Sequence, residues 1–322
     1  MKMKKIRFVF LMVALSCLFL QKVSAQFYFR DNNFYDSPLL FEMGGSVGIM
    51  NCLTDVGGKK GIGKPLIKDL NIGNTQLNGS VFVSALYKYA VGVRLEGSIG
   101  QIKAYDSILN PVKESTLGRY ERNLQFRSSI TELALTFEFH PLFIFINWLT
   151  KEKSPPALSP YLTAGIGYFK FNPQAKLYSN WVDLPPLHTE GQGFAEYPNR
   201  KVYQLSQINF PLGAGIKYEL TPNINLRAEL VARILQTDYL DDVSTRYIDP
   251  QIFSKYFSGD QLNKALLLND RRSKLNPAFP VNPKGGQRRG SPQNNDSYFT
   301  FNLKVGIAFG REKIGRSGSN GY

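Results

Sequence analysis

Cysteine is nearly absent: the 322-residue chain has two, Cys17 and Cys52. Cys17 falls in an N-terminal leader, so the mature chain keeps one thiol. An intrachain disulfide framework is excluded, and a secreted fold of this size must be held by something else. Histidine is equally scarce, with only His140 and His188. No apolar run beyond the leader reaches the roughly 20 residues of a membrane-spanning helix. The mildly polar mean hydropathy does not exclude a membrane crossed by strands, because only alternate strand residues then face lipid.

What is present begins with the leader. Met1–Arg7 carries four positive charges, Phe8–Leu20 is apolar except for Ser16, and Val23-Ser24-Ala25 supplies small residues before a cut. The apolar run is too short to span roughly 30 Å of hydrocarbon, and Ala14-Leu15-Ser16 makes a poor lipidation signal before Cys17. Residues 1–25 are therefore expected to be a signal peptide. Its removal takes five of the 39 basic residues, so 34 face 25 acids and the mature charge is +9. In a secreted chain that surplus points to anionic lipid headgroups or a partner protein rather than nucleic acid.

Eight stretches alternate apolar and polar residues, placed near Leu39–Met50, Leu77–Lys88, Ala90–Ile102, Gln125–Phe139, Ser159–Lys170, Gln207–Leu220, Asn223–Leu235 and Asp296–Phe309. The clearest is Asn223–Leu235. Ile224, Leu226, Ala228, Leu230, Ala232 and Ile234 share one face; Asn225, Arg227, Glu229 and Arg233 share the other. A helix would mix these sets, whereas a strand separates them. The connections run to about 26, 1, 22, 19, 36, 2 and 60 residues. Long ones thus alternate with mostly short ones, as in an outer-membrane barrel with brief periplasmic turns and long outer loops. The expected fold is all-β: an eight-stranded antiparallel transmembrane β-barrel over residues 39–309. A periplasmic segment at 26–38 precedes it and a periplasmic tail at 310–322 follows. Loops 51–76, 103–124, 171–206 and 236–295 would be extracellular.

Aromatics at strand ends suit girdles at the two bilayer interfaces: Phe41, Tyr87, Tyr89, Phe139, Tyr161, Tyr168, Phe169, Phe210, Tyr218, Phe299 and Phe309. Strand glycines such as Gly44, Gly92, Gly165, Gly167, Gly213 and Gly215 would relieve crowding in a small, curved barrel. A soluble two-sheet sandwich is the competing architecture, but its exposed face would be polar.

Phasing each strand by its apolar face sends Glu42, Arg94, Glu96, Glu132, Glu138, Lys217, Glu219, Arg227, Glu229, Arg233 and Lys304 inward. Six acids then face five bases. An eight-stranded barrel is just wide enough to be filled by side chains, and buried charges are tolerated when paired. The set is read as a structural plug in preference to a carboxylate pair for acid–base chemistry or an ion path. On Thr131–Phe139 both faces are fairly apolar, so the phase of Glu132 and Glu138 is the least defined.

Other candidate sites lie in the connections. Gly58–Lys64 approaches a phosphate-cradling loop, but Pro65 occupies the hydroxyl position. Asp183, His188 and a loop serine are the candidates for a lipid A-modifying site at the rim. His140 and His188 fall on opposite sides of the membrane, which disfavours a shared metal site. Asp238, Asp241 and Asp242 offer oxygens for calcium, although their spacing fits no helix–loop–helix calcium loop. A turn-capping network with Arg246 or the basic loops is the favoured reading. Asp270–Asn295 places Arg271, Arg272, Lys274, Lys284, Arg288 and Arg289 among Asn, Gly and Pro, a composition that argues for mobility or for order only on contact with a partner. The turn His140–Pro160 is apolar through Leu149 and then charged. Its simplest reading is a strand extension ending at the interface, with Trp148 at headgroup level. The alternative is a docking surface built from Phe143, Phe145, Trp148, Lys151 and Lys153.

Several blocks resemble the PorG-like family of outer-membrane barrels associated with type IX secretion in Bacteroidota. They are Glu42–Asp55, Gln125–Phe139, Ser159–Ala175, which contains Phe171-Asn172-Pro173, Thr189–Gly193 and Thr237–Tyr247. The resemblance implies a non-enzymatic barrel without cofactor or metal, contacting periplasmic secretion proteins and outer-membrane lipid, with no small-molecule substrate. The long fourth loop and the tail Arg311–Tyr322 exceed the compact family pattern. A barrel working in adhesion through its basic outer loops is the main alternative, and a lipid A-modifying enzyme is a lesser one.

Overall fold

The computed structural model describes residues 38–58, 71–145, 156–275 and 285–309. The expected leader and the tail lie outside the described residues. Eight antiparallel strands close on themselves: β1 (Leu39–Leu53), β2 (Gln76–Tyr87), β3 (Val91–Tyr105), β4 (Gln125–Phe139), β5 (Leu158–Leu177), β7 (Ser206–Glu219), β8 (Ile224–Leu235) and β9 (Ser297–Phe309). Pairing of β4 with β5 and of β1 with β9 completes the ring. A short ninth strand, β6 (Asn180–Asp183), folds back on the upper part of β5.

Closure leaves no sheet edge and satisfies the strand backbone internally, which is what hydrocarbon demands. The alternation sets the polarity. On β8 the apolar set from Ile224 to Ile234 points outward, and Asn225, Arg227, Glu229 and Arg233 are buried. The same inversion holds on β3 and β9, where Leu95, Ile99, Phe301, Leu303 and Ile307 are exposed while Arg94, Glu96, Asn302 and Lys304 are buried. An apolar exterior around a polar interior is the signature of a transmembrane barrel, and the chain is an outer-membrane protein. No described helix is long and apolar enough to cross a membrane.

One end of the barrel has short turns. Lys88 and Tyr89 between β2 and β3 both adopt left-handed backbone (φ 50° and 57°), the conformation whose twist matches that of paired strands. Between β7 and β8, the Thr221 hydroxyl accepts the amides of Asn223 and Ile224. At the other end the long connections fold into a cap containing, among the described residues, four short α-helices, α1 (Leu117–Arg122), α2 (Phe253–Tyr256), α3 (Gly259–Asn269) and α4 (Arg272–Leu275).

Two sequence expectations change here. Strand five was expected to stop at Lys170, yet β5 continues to Leu177 through Pro173. The proline sits at the strand's free edge, where no donor is needed, and its carbonyl accepts the Leu184 amide. Tyr89, Tyr161 and Phe169, read as girdle aromatics, are buried inside. Tyr161 and Phe169 share the inward phase of Ser159 and Thr163. Room for Tyr161 comes from Gly215 on β7, where a Cβ would lie 2.5 Å from the ring. Phe41, Tyr87, Tyr168, Phe210 and Phe309 do face outward.

The interior is stacked in layers. At the short-turn end, Leu40, Leu86, Tyr89, Ala90, Phe143 and Ala308 form an apolar plug. Charged side chains fill the middle. Above them lies a second apolar layer including Met50, Ile102, Phe126, Phe169, Phe171, Leu235 and Tyr298. The cap adds a core of its own around Leu177, Leu187, Phe194, Ile248, Phe253 and Leu268.

Candidate functional site

All eleven inward charges expected from the phasing are buried, Glu132 and Glu138 included, and all eleven fall in two ion-paired groups. Arg94 on β3 reaches Glu229 on β8 at 2.7 Å, Glu138 on β4 at 3.0 Å and Glu96 at 3.3 Å. Lys304 on β9 contacts Glu96 at 2.5 Å and Glu229 at 2.8 Å. Arg227 joins Glu138 at 2.9 Å and also pairs with Glu42. Lys217 pairs with Glu42 and lies 2.9 Å from Glu219. Arg233 and Glu132 form a separate pair at 3.1 Å. Glu219 joins the larger group through Lys217. Phe82 lies under three of the cations, with Arg227, Lys304 and Arg94 at 5.2, 5.5 and 6.0 Å from its ring centroid.

Neutral polar residues complete the network, and phasing by charge alone did not single them out. The Tyr161 hydroxyl donates to Glu229 at 2.7 Å. Asn209 donates to Glu132 at 2.9 Å and Ser80 to Glu96 at 2.5 Å. Arg233 donates to the Thr300 hydroxyl at 2.5 Å. The inward phase is legible for each of these residues, but their partners sit on strands up to a whole barrel apart in sequence. This set is paired, and apolar layers lie at both ends of it.

At the short-turn end, His140 Nδ1 lies 3.1 Å from the Ser159 hydroxyl and its Nε2 lies 3.4 Å from Glu138. Serine, histidine and glutamate in that order resemble a hydrolase constellation. Here all three are at most 1 % exposed and Glu138 is committed to Arg94 and Arg227, so the serine is sealed from substrate. Phe143, expected in a docking surface or strand extension, instead folds under the barrel in a 3-10 turn (Pro141–Phe145) and stacks on Tyr89 at 5.7 Å. Its burial removes it from any exposed surface; the apolar lumen mouth is a better environment than the interface. The Phe145 side chain, Trp148, Lys151 and Lys153 lie outside the described residues.

The cap is fastened by a second buried ionic network. Glu190 accepts from the amides of Ser244 and Thr245 at 3.0 and 2.8 Å, from the Thr245 hydroxyl at 2.6 Å and from Arg289 at 3.0 Å. Asp106 takes Arg122 through two bonds of 2.9 Å and also the Gly57 and Leu124 amides. Arg122 goes on to the carbonyls of Arg289 and Asp55, both at 2.6 Å. Four connections are thus pinned together. Arg271, Arg272, Arg288 and Arg289 belong to this packing: Arg271 donates to the Lys176 carbonyl at 2.8 Å, and residues 245–247 pair with 286–290. In this structure each of these four guanidinium groups meets a carboxylate or carbonyl inside the cap. Residues 276–284 lie outside the described residues.

Asp241 caps a turn, as favoured from sequence, whereas Asp242 ties other connections together through their hydroxyls. Asp241 accepts the Val56 and Val243 amides at 2.9 Å, and Asp242 accepts the hydroxyls of Thr189 and Tyr203 at 2.5 and 2.6 Å. Arg246 is not their partner; it turns to the Gly286 carbonyl, and Arg289 approaches Asp242 instead. Burial, helped by the negative charge of Asp55, pushes the Asp241 carboxyl up to about 8. Burial likewise raises Asp238 to about 8 and Asp242 to about 6. Asp296 is raised for the same reason, with Asp241 and Asp238 as close like charges. Among the described residues no group of three or more His, Cys, Asp or Glu side chains is placed to hold a metal ion.

The rim triad proposed from sequence does not assemble. Asp183 accepts from Asn172 and Gln174 on β5, whereas His188 packs between Phe194 and Phe257 at 5.7 and 6.1 Å. The phosphate-loop segment lies outside the described residues beyond Gly58.

No protein-family model matches the chain, and no curated protein matches it. Among solved structures it is similar to Neisserial surface protein A at 8% identity and TM-score 0.36, covering 85% of this chain and 98% of that one. It is also similar to the N-terminal barrel domain of Pseudomonas aeruginosa OprF at 10% identity and TM-score 0.31, with coverage of 85% and 98%. The attachment invasion locus protein Ail of Yersinia pestis, solved with the heparin analogue sucrose octasulfate, matches at 13% identity and TM-score 0.32, with coverage of 84% and 99%.

Proposed function

We propose that this protein is a non-enzymatic anchoring component of a type IX secretion apparatus, with the short-turn end and both termini in the periplasm and the cap outside the cell. One observation carries the reading: the blocks that resemble the PorG-like family supply the interlocks of a sealed barrel. Glu42 lies in the first block, Glu132 and Glu138 in the second, Tyr161 and Phe171 in the third, Glu190 in the fourth, and Asp241 and Asp242 in the fifth. A barrel whose interior is committed to internal pairing acts through its surfaces, which suits a scaffold.

The test is a deletion strain combined with site-specific crosslinking from His140–Pro160 in intact cells. Loss of secretion on deletion, restored by the wild-type gene, together with crosslinks to periplasmic secretion proteins, is the expected result. Normal secretion and no such crosslink would reject the proposal. If removal of Asp270–Asn295 then abolished attachment to cells or matrix, adhesion would take its place.

A further inference from the structure

We propose that the barrel wall just below the cap binds the phosphorylated sugar headgroup of an outer-leaflet glycolipid. The assignment to the outer leaflet rests on the orientation given above; the headgroup chemistry rests on the wall itself.

The outward-facing residues mark where hydrocarbon ends. On β3 they change from Val93, Leu95 and Ile99 to Gln101, Lys103 and Tyr105. On β4 they change from Phe137, Leu135 and Leu133 to Thr131, Ser129 and Arg127, and on β5 from Ile166 and Tyr168 to Lys170, Asn172, Gln174 and Lys176. Beyond that boundary the three strands present four cations to the lipid side. The single acid on these rows, Asp183 on β6, has one oxygen bonded to both Asn172 and Gln174. None of the four cations pairs with a described acid.

Their placement is unfavourable without an anion. Lys103 stands directly opposite Arg127 in the β3–β4 register, and like charges facing one another across strands are destabilising. Arg127 is nevertheless held in place. Its Nε donates to Gln174 at 2.9 Å, and its guanidinium lies 4.2 Å from the Trp181 ring centroid. The two terminal nitrogens of the fork have no hydrogen-bond partner among the described residues. A pre-oriented guanidinium with two free donors fits a phosphate, and a lysine opposite adds a second charge.

Next to the cations is a neutral cavity of about 480 Å³ lined by Tyr168, Tyr203, Gln204, Ser206, Ile208 and Gln236. It adjoins the cationic rows, since Lys170 is paired with Ser206. Its size lies within the roughly 300–1,000 Å³ of small-molecule sites. Amides and hydroxyls beside the exposed Tyr168 ring suit a sugar, whose hydroxyls need donors and acceptors and whose C–H faces stack on rings. Phosphate-binding cations, a sugar-sized polar cavity and an apolar wall beneath occur in the order of a glycolipid's own parts.

The purified barrel in neutral detergent is to be titrated with lipid A bearing two phosphates, with its dephosphorylated form and with phosphatidylglycerol, counting bound lipid by native mass spectrometry. The bisphosphorylated glycolipid is expected to bind at least about tenfold more tightly than either comparator, because one lacks the charge-assisted bonds and the other the sugar. The double variant Lys103→Gln, Arg127→Gln should lose about the same factor, and Tyr168→Ala with Gln236→Ala should also weaken binding. Equal affinity for the three lipids overturns the proposal, as does unchanged affinity in the charge-neutralised variant. Orientation is read separately by labelling Val202→Cys with an impermeant maleimide on intact cells. No labelling would reject the outer-leaflet source, whereas the titration has no sides and reports headgroup chemistry alone.

Discussion

Arg227 is surrounded by Glu42, Glu138 and Asn225 and is buried. Replacing it with methionine would leave Glu42 with Lys217 and Glu138 with Arg94, but remove the cation that bridges the two carboxylates. Loss of one partner from a buried pair costs about 3–5 kcal/mol, so Arg227→Met should lower the urea midpoint of the barrel by a corresponding margin. The isolated pair Arg233–Glu132 offers a cleaner test. In a double-mutant cycle, Arg233→Met with Glu132→Gln should cost less than the sum of the single changes; strict additivity would show that the pair is not coupled. The cap carboxyls respond to pH in the opposite sense to a salt-bridged acid. Asp238 and Asp241 hold their protons up to about 8 against an ordinary 3.8. Their folded form therefore binds more protons than the unfolded chain between those values, and cap stability falls as pH rises from about 4 through 8. Hydrogen exchange of residues 237–244, corrected for intrinsic rates, should show protection declining over that range, and Asp241→Asn should flatten the decline. A flat profile in the wild type would refute the assignment.

The cap is an element in its own right, and Arg289 is its principal tie through Glu190 and the Asp242 carbonyl. Arg289→Met is expected to open the connection between β8 and β9 to protease while the strands stay resistant and the folded gel mobility is kept. Loss of the whole barrel instead would mean that cap and barrel fold as one unit. This element was the least legible in the sequence. Period-2 alternation fixes which strand residues face in, so Glu42, Arg94 and Lys304 could be phased without knowing their neighbours. No such period governs Gln236–Asn295, where Arg271 and Arg289 read as a loose basic run although each meets a specific acceptor. The extension of β5 was hidden for a related reason: Asn172-Pro173 reads as a turn, and only the free edge beside Pro173 makes it compatible with a strand.

At the scale of the whole molecule, sealing layers at both ends and a paired charge layer between them predict an electrically silent barrel. In planar bilayers the protein should give no stable conductance steps, and regular unitary currents of porin size would contradict the filled interior. The eight barrel strands were legible because alternation survives in most of them, with β4 the least clear and the short β6 giving no signal. The function was not, because lipid-facing and lumen-facing residues report the environment and leave partners unspecified. The charge layer also has a consequence for how the chain is made. Glu42 belongs to the first strand, but Lys217, Asn225 and Arg227, which pair with it, belong to β7 and β8. An early strand entering hydrocarbon alone would carry an orphan carboxylate. Membrane insertion and ring closure are thereby coupled: the N-terminal half must wait, hydrated or chaperoned, until the C-terminal strands emerge and the two ends of the sheet meet.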